Sequence, residues 1–357
     1  MVRLAVAVLF VASVAAAGVV DARQSDQADR VATRPASVST STASTTTTTT
    51  TPPAPATTQP PPPPAPTTTL PPATPATTAA APAPEPAGDV KALQTPSGVV
   101  VPVTGREPGG YRVTTPCGRS AVVSGGTPIT GADVVLDAGH GGAEPGAVSA
   151  SGLSEKGINL AVVGYARDAL EKAGLHTVRT RTADYRVTLA TRAALVKALH
   201  PKVFVSIHHN AEPDGPWPRP GTETYYQINN PDSKRLAGLI YEEVEKALEQ
   251  YKITWVADTD AGAKYRVNDK GDDYYAILRL THGVTTALGE LGFVSNPPEA
   301  DLLVRPDVQK VEGEAVARGI LRYLNTKDPG SGFTEPYPRT SPAGGGGGAS
   351  NCADPAL

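Results

Sequence analysis

The chain has 357 residues, a net charge of −3 and a sequence pI near 6.1. That length holds one large domain plus additional segments. The slightly acidic balance excludes a general nucleic-acid binder, which needs a basic patch and a high pI.

Arg3 precedes an apolar run, Leu4–Val20, and small-residue cleavage patterns follow at Ala15-Ala16-Ala17 and Val20-Asp21-Ala22. Residues 1–22 therefore read as a signal peptide, or as an uncleaved membrane anchor at the short limit of a spanning helix. Residues 23–92 read as a disordered Thr/Pro-rich linker. Residues 35–88 hold 16 prolines, 17 threonines and a single charge, Glu85, with the runs Thr45–Thr51 and Pro60–Pro64. Such a segment buries too little apolar surface to offset its ordering entropy. It suits an extended spacer through an envelope layer, or a neutral tail.

From residue 93 to 130 the pattern changes to short apolar runs, Val99–Val103, Tyr111–Val113 and Ser120–Val123, separated by Pro108-Gly109-Gly110 and Gly125-Gly126. They predict a small β-rich segment packed on the main domain, either capping a sheet edge or touching substrate.

Residues 131–326 alternate strand and helix patterns. Strands are expected at Asp133–Asp137, His176–Arg181, Val203–His208, Thr222–Ile228 and Thr285–Leu291. Helices are expected at Glu155–Ala173, Leu189–Leu199, Asp232–Tyr251 and Pro306–Leu324. This alternation predicts an α/β fold, a mostly parallel twisted sheet with helices on both faces. Sites in such sheets sit at the carboxyl ends of strands.

Residues 327–357 form a Gly/Pro-rich C-terminal tail that contains Gly344–Gly348 and Cys352. In an exported chain, two cysteines suggest one disulfide, here Cys117–Cys352. A flexible tail of this length wanders roughly 27 Å. A domain of this size has a radius of gyration of roughly 17 Å, so the tail reaches back to Cys117.

The strand ends carry the chemistry. Asp137-Ala138-Gly139-His140-Gly141-Gly142 closes the first strand, Glu155 opens the next helix, His208-His209 closes the third strand and Glu290 lies in the last. Two imidazoles, one carboxylate and a water make a catalytic zinc site, and a second carboxylate can act as general base. Each residue also has a plainer role. A histidine at a strand end can be a satisfied polar group, and Glu155 can simply favour the helix dipole. Glu290 within an apolar strand needs a partner in any case.

The motifs VVLDAGHGG, SEKGINLAV, VFVSIHHNA, GTETYY and GELGFVSNPPEADLL, in order from about Val134 to Tyr323, resemble the zinc-dependent N-acetylmuramoyl-L-alanine amidases of the amidase-3 family. The resemblance implies that family's fold, described as phosphorylase/hydrolase-like. It implies one Zn2+ held by His140, Glu155 and His208, with Glu290 catalytic. It also implies hydrolysis of the peptidoglycan amide between the N-acetylmuramic acid lactyl group and L-Ala of the stem peptide. Asp137 then becomes a candidate to orient a histidine ligand, or a turn residue satisfying local backbone donors. Arg192 resembles a recurrent family arginine and reads as structural. His176, His200 and His282 match no ligand position.

The sequence departs from the usual pattern at Ala138, Glu144, His209, Thr285 and Gly289, none of which removes a ligand or the base. Adjacent strand residues face opposite ways, so only one of His208 and His209 can face a metal, and motif position favours His208. Tyr225–Pro231 runs straight into the following helix and leaves no room for a plug over the site, so an open site is expected. A fold-back of the tail after Lys327 is the one cover left to consider. Competing readings are a non-catalytic peptidoglycan-binding protein, a zinc peptidase acting within stem peptides and a wall-spanning structural protein. The expected context is the cell envelope or the extracellular space, as a monomer, with membrane contact only through an uncleaved N-terminus.

Overall fold

Two sheets organise the computed structural model, which describes residues 88–211, 221–253, 261–334 and 351–357. The expected signal peptide or anchor, nearly all of the Thr/Pro linker and the Gly344–Gly348 run lie outside the described residues. The first sheet is antiparallel: β1 (Ala92–Gln94), β2 (Val100–Glu107), β3 (Gly110–Thr114), β4 (Ser120–Val123) and β5 (Thr127–Ile129), in the order β4-β3-β2-β1-β5. Next come β6 (Val134–Ala138), α1 (Glu155–Lys172), β7 (Thr177–Arg179), α2 (Leu189–Leu199), β8 (Val203–Asn210), β9 (Glu223–Tyr226) and α3 (Pro231–Leu248). The chain continues through β10 (Gly262–Lys264), α4 (Ala276–Leu280), β11 (Thr286–Phe293), α5 (Pro297–Leu303) and α6 (Pro306–Asn325).

The second sheet has the order β10-β9-β11-β8-β6-β7. Its strands β11, β8, β6 and β7 run parallel, whereas β9 is antiparallel to β11 and carries β10 parallel to itself. Alternation along the strands feeds two cores. Val134, Leu136, Val203, Val205, Ile207, Ala287 and Leu291 pack with residues of α1, α3 and α6. Val135, Phe204, Tyr225 and Leu288 pack with residues of α2 and α4 on the opposite face. Both faces are covered, as a largely parallel sheet requires. Asn230 and Asn296 cap α3 and α5 by accepting from Ser233 N and Glu299 N, each followed by a proline that needs no donor there.

The small sheet pairs with no strand of the larger one. Its apolar face (Leu93, Val99, Val101, Val113, Val123) packs on Tyr185 and Val187, and Val100 joins the core against α2. Thr182 Oγ1 donates to Gly98 O at 2.8 Å, and Thr191 Oγ1 to Thr115 O at 3.2 Å. The segment thus covers α2 and the loop that follows the edge strand β7, shares a core cluster with Val178 of that strand, and adds no strand to the sheet. Cys117 is joined to Cys352, with the Cα atoms 5.6 Å apart. Asp354 accepts from Cys117 N and pairs with Arg119, and Leu357 packs beside the same apolar face. Residues 327–334 run along α3, where Phe333 lies against Gly238 and bridges to Ala263. Among the described residues no helix is long and apolar enough to cross a membrane.

Helix α6 crosses both α1 and α3 at glycines. A Cβ on Gly313 would lie 2.6 Å from Val162 O, and one on Gly319 would lie 2.7 Å from Ile240 Cα. Both obstacles are backbone, so overpacking should cost about 1–3 kcal/mol at each position. Gly164 on α1 faces open space, so Ala there should stabilise by about 0.5–1 kcal/mol. Urea unfolding of Gly313→Ala, Gly319→Ala and Gly164→Ala should therefore give opposite signs. Equal effects at all three would contradict these close crossings.

Candidate metal centre

The strands β11, β8 and β6 are parallel neighbours, so their carboxyl ends form one edge. At that edge His140, Glu155 and His208 present ligand atoms that all lie within 4.8 Å of one another. Glu155 sits between the imidazoles, with Oε2 3.1 Å from His140 Nε2 and Oε1 3.0 Å from His208 Nδ1. Its carboxylate also accepts from Ala147 N (2.8 Å), His209 N (3.1 Å) and Asn159 Nδ2 (3.0 Å). It does far more than favour a helix terminus. Burial alone would raise its pKa, but the two imidazoles hold it well below the usual carboxylate range. Burial draws His208 down, and against burial the charge of Glu155 draws His140 up.

Two glycines make room for this crowding. A Cβ on Gly139 would lie 2.2 Å from His208 Cε1, and one on Gly146 would lie 2.3 Å from Glu155 Oε2. An anionic carboxylate between two imidazoles, in a cradle that tolerates no side chain at Gly139 or Gly146, is a donor set suited to a divalent cation.

His140 adopts a left-handed backbone (φ 60°), strained for a residue with a side chain. Two buried arginines hold the turn that carries it. Arg192 donates to Ala138 O (2.7 Å), His140 O (2.8 Å) and Val187 O (2.9 Å). Arg181 donates to Ala138 O and Gly139 O, both at 2.9 Å, and to Lys156 O at 2.7 Å. Burial pulls the Arg181 pKa down to about 10.

Asp137 plays neither role expected of it. Its carboxylate pairs with Arg192 and accepts from Thr180 Oγ1 and Ser206 Oγ, so among the described residues it hydrogen-bonds to no histidine and caps no turn. It fixes Arg192, which fixes the loop. Burial would raise the Asp137 pKa, but Arg192 and the two hydroxyls offset this and leave it lowered.

Glu290 is 2% exposed on β11. In register it stands between His208 on β8 and Glu223 on β9. Glu223 accepts from Lys264 Nζ (2.7 Å), Asn210 Nδ2 (2.8 Å) and Tyr225 OH (2.6 Å). His209 turns to the other face, fully buried, with Nδ1 2.7 Å from Asn159 Oδ1. His176, His200 and His282 are exposed and outside the cluster.

A family model described as N-acetylmuramoyl-L-alanine amidase (Amidase_3) matches residues 134–322. The chain belongs to this family. Peptidoglycan hydrolysis is the activity that goes with it. The amidase is 36% identical over 212 residues to the uncharacterized protein YqiI of Bacillus subtilis (strain 168), covering 59% of this chain and 91% of the relative. It is 32% identical over 216 residues to the germination-specific N-acetylmuramoyl-L-alanine amidase of the same organism, covering 56% of this chain and 83% of the relative. The endolysin of Bacillus phage SPP1 is 32% identical over 215 residues, covering 59% of this chain and 73% of the relative.

Sequence reasoning missed Arg181, Asn159 and Glu223 in the amidase. Asn159 had a usable signal, because it lies four residues after Glu155 on the same helix face.

Arg192→Met leaves Asp137 buried without its cation and should cost about 3–5 kcal/mol at pH 7. Because the folded Asp137 pKa is depressed, its contribution is fully present above the unfolded value, near 3.9. It fades as pH falls through the lowered folded value. Denaturant midpoints of wild type and variant should therefore converge in acid; a constant gap down to pH 2 would contradict this assignment.

Proposed function

We propose that this amidase holds one zinc ion with His140, Glu155 and His208. In this reading it uses Glu290 to hydrolyse the amide between the lactyl group of N-acetylmuramic acid and L-Ala of the stem peptide. What supports the reading is the convergence of the three donors at the strand edge, with a buried carboxylate in register beside one of them. When bound, zinc supplies Lewis acidity toward the scissile carbonyl and toward water.

The protein's own groups do the rest. Ala147 N, His209 N and Asn159 Nδ2 orient the Glu155 carboxylate. Arg181 and Arg192 fix the turn that aims His140. Glu290, on a rigid strand, takes a proton from the attacking water at its carboxylate oxygen and returns it to the departing L-Ala nitrogen. The carbonyl carbon gains the water oxygen, the C–N bond breaks, and the products are a lactyl carboxylate and a stem with a free amine. In the same reading, residues 1–22 direct export, the 23–92 linker spaces the catalytic domain 131–326 within the cell envelope, and the chain works as a monomer.

Digestion of purified peptidoglycan by the full chain, followed by mass spectrometry, tests this. Intact stems bearing free L-Ala amines should appear with zinc and vanish with a chelator. Glu290→Gln should retain zinc and lose about 10²–10⁴-fold in rate, the usual worth of a general base. Shortened stems would instead indicate a peptidase, and no release with zinc bound would indicate a binding protein.

A further inference from the structure

Behind the donor cluster runs a buried polar chain whose far end, the His209 side chain and Glu312, the proposed reaction does not use. Glu312, on α6, is 0% exposed. Among the described residues its oxygens make no hydrogen bond, and its ion-pair contact is His209 Nε2 at 3.5 Å. A carboxylate is not buried in this way without reason, since desolvation penalises the charge. The other ring nitrogen, His209 Nδ1, lies 2.7 Å from Asn159 Oδ1. The Asn159 amide spans onward, with Nδ2 3.0 Å from Glu155 Oε1 and 3.3 Å from Gly139 O.

The chemistry fixes each orientation along this chain. Glu155 and Gly139 O can only accept, so Asn159 must present Nδ2 to them and Oδ1 to His209. His209 Nδ1 must then carry a proton and donate it. On the far side, His209 Nε2 faces the Glu312 carboxylate at 3.5 Å, so the ring is anchored at both nitrogens. Were the Nδ1 donor absent, the Asn159 amide could rotate and turn its oxygen onto the Glu155 carboxylate.

We infer that His209, anchored by Glu312, is a positioning residue that locks Asn159 and through it sets the Glu155 carboxylate for metal binding. The inference rests on the zinc reading above. It also gives a use to a buried histidine at a position where the family resemblance leads one to expect a small residue.

The test is the zinc dissociation constant of the full chain, measured by competition with a chromogenic chelator, alongside thermal unfolding of the metal-free protein. His209→Leu/Glu312→Leu removes the donor and leaves no orphaned carboxylate. His209→Asn/Glu312→Leu keeps an amide nitrogen where Nδ1 stood. The Leu pair should bind zinc about 10–100-fold more weakly, the usual effect of losing a group that orients a ligand. The Asn-containing pair should bind close to wild type, with metal-free unfolding similar for the two. Equal zinc affinity in the two double variants, whether strong or weak, overturns the inference. If the Leu pair does not fold, Asn159→Ala provides the reading: it must weaken zinc binding similarly, and unchanged affinity overturns the inference. A wild-type chain that binds no zinc at all overturns the zinc reading and this inference with it.

Discussion

Glu155 places a full negative charge inside the protein, and much of the surrounding structure exists to satisfy it. A buried carboxylate without partners would take up a proton or unfold the segment that carries it. Here two backbone amides, one side-chain amide and two imidazoles converge on its two oxygens. Those partners come from the β6–α1 loop, β8 and α1 itself. The charge therefore ties together three separate stretches of chain, and their agreement on its position makes the cluster a defined site.

The period-two geometry of β8 gives that site two sides. Ser206 and His208 face Asp137 and Glu155, and the neighbouring Ile207 and His209 enter the core against α1 and α6. A single strand thus supplies a candidate ligand and, one residue later, a support on the opposite face. The same economy holds around β6. Asp137 points to one face and fixes Arg192, and Arg192 with Arg181 restrains the carbonyls of Ala138, Gly139 and His140. The strain of a left-handed histidine is sustained because the peptides around it are over-determined.

Most of the α/β domain was legible because its strands are continuous apolar runs and its longer helices repeat at the helical period. The donor residues were legible as a group because each lies at a strand end or helix start. What escaped is physically coherent. The strands β1, β5 and β10 have three residues each, too few for any periodicity. Helix α4 has five, and its formation depends on tertiary packing. Arg181, Lys264 and Glu312 carried no signal of burial, because charged side chains are rarely buried unless paired and their partners lie far away in sequence. Asp137 was misread for the same reason: its cation, Arg192, is 55 residues on.

The reversal of β9 brings a strand beginning, not a strand end, to the functional edge. A fully parallel sheet would have put Glu223 at the far end from His140. Running antiparallel, β9 sets Glu223 directly across from Glu290, two carboxylates in register on one face. Like charges in that arrangement repel, and burial leaves little solvent to screen them. The neighbouring strand β10 answers this with Lys264, whose Nζ lies 2.7 Å from Glu223, with Arg266 at 4.0 Å. Burial alone would raise the Glu223 pKa, but these two cations keep it lowered, so the group stays ionised and its charge is neutralised where it stands. Without that compensation, Glu290 would face an unbalanced charge across the strand. The three-residue strand that sequence could not reveal therefore neutralises the charge that would otherwise stand beside Glu290.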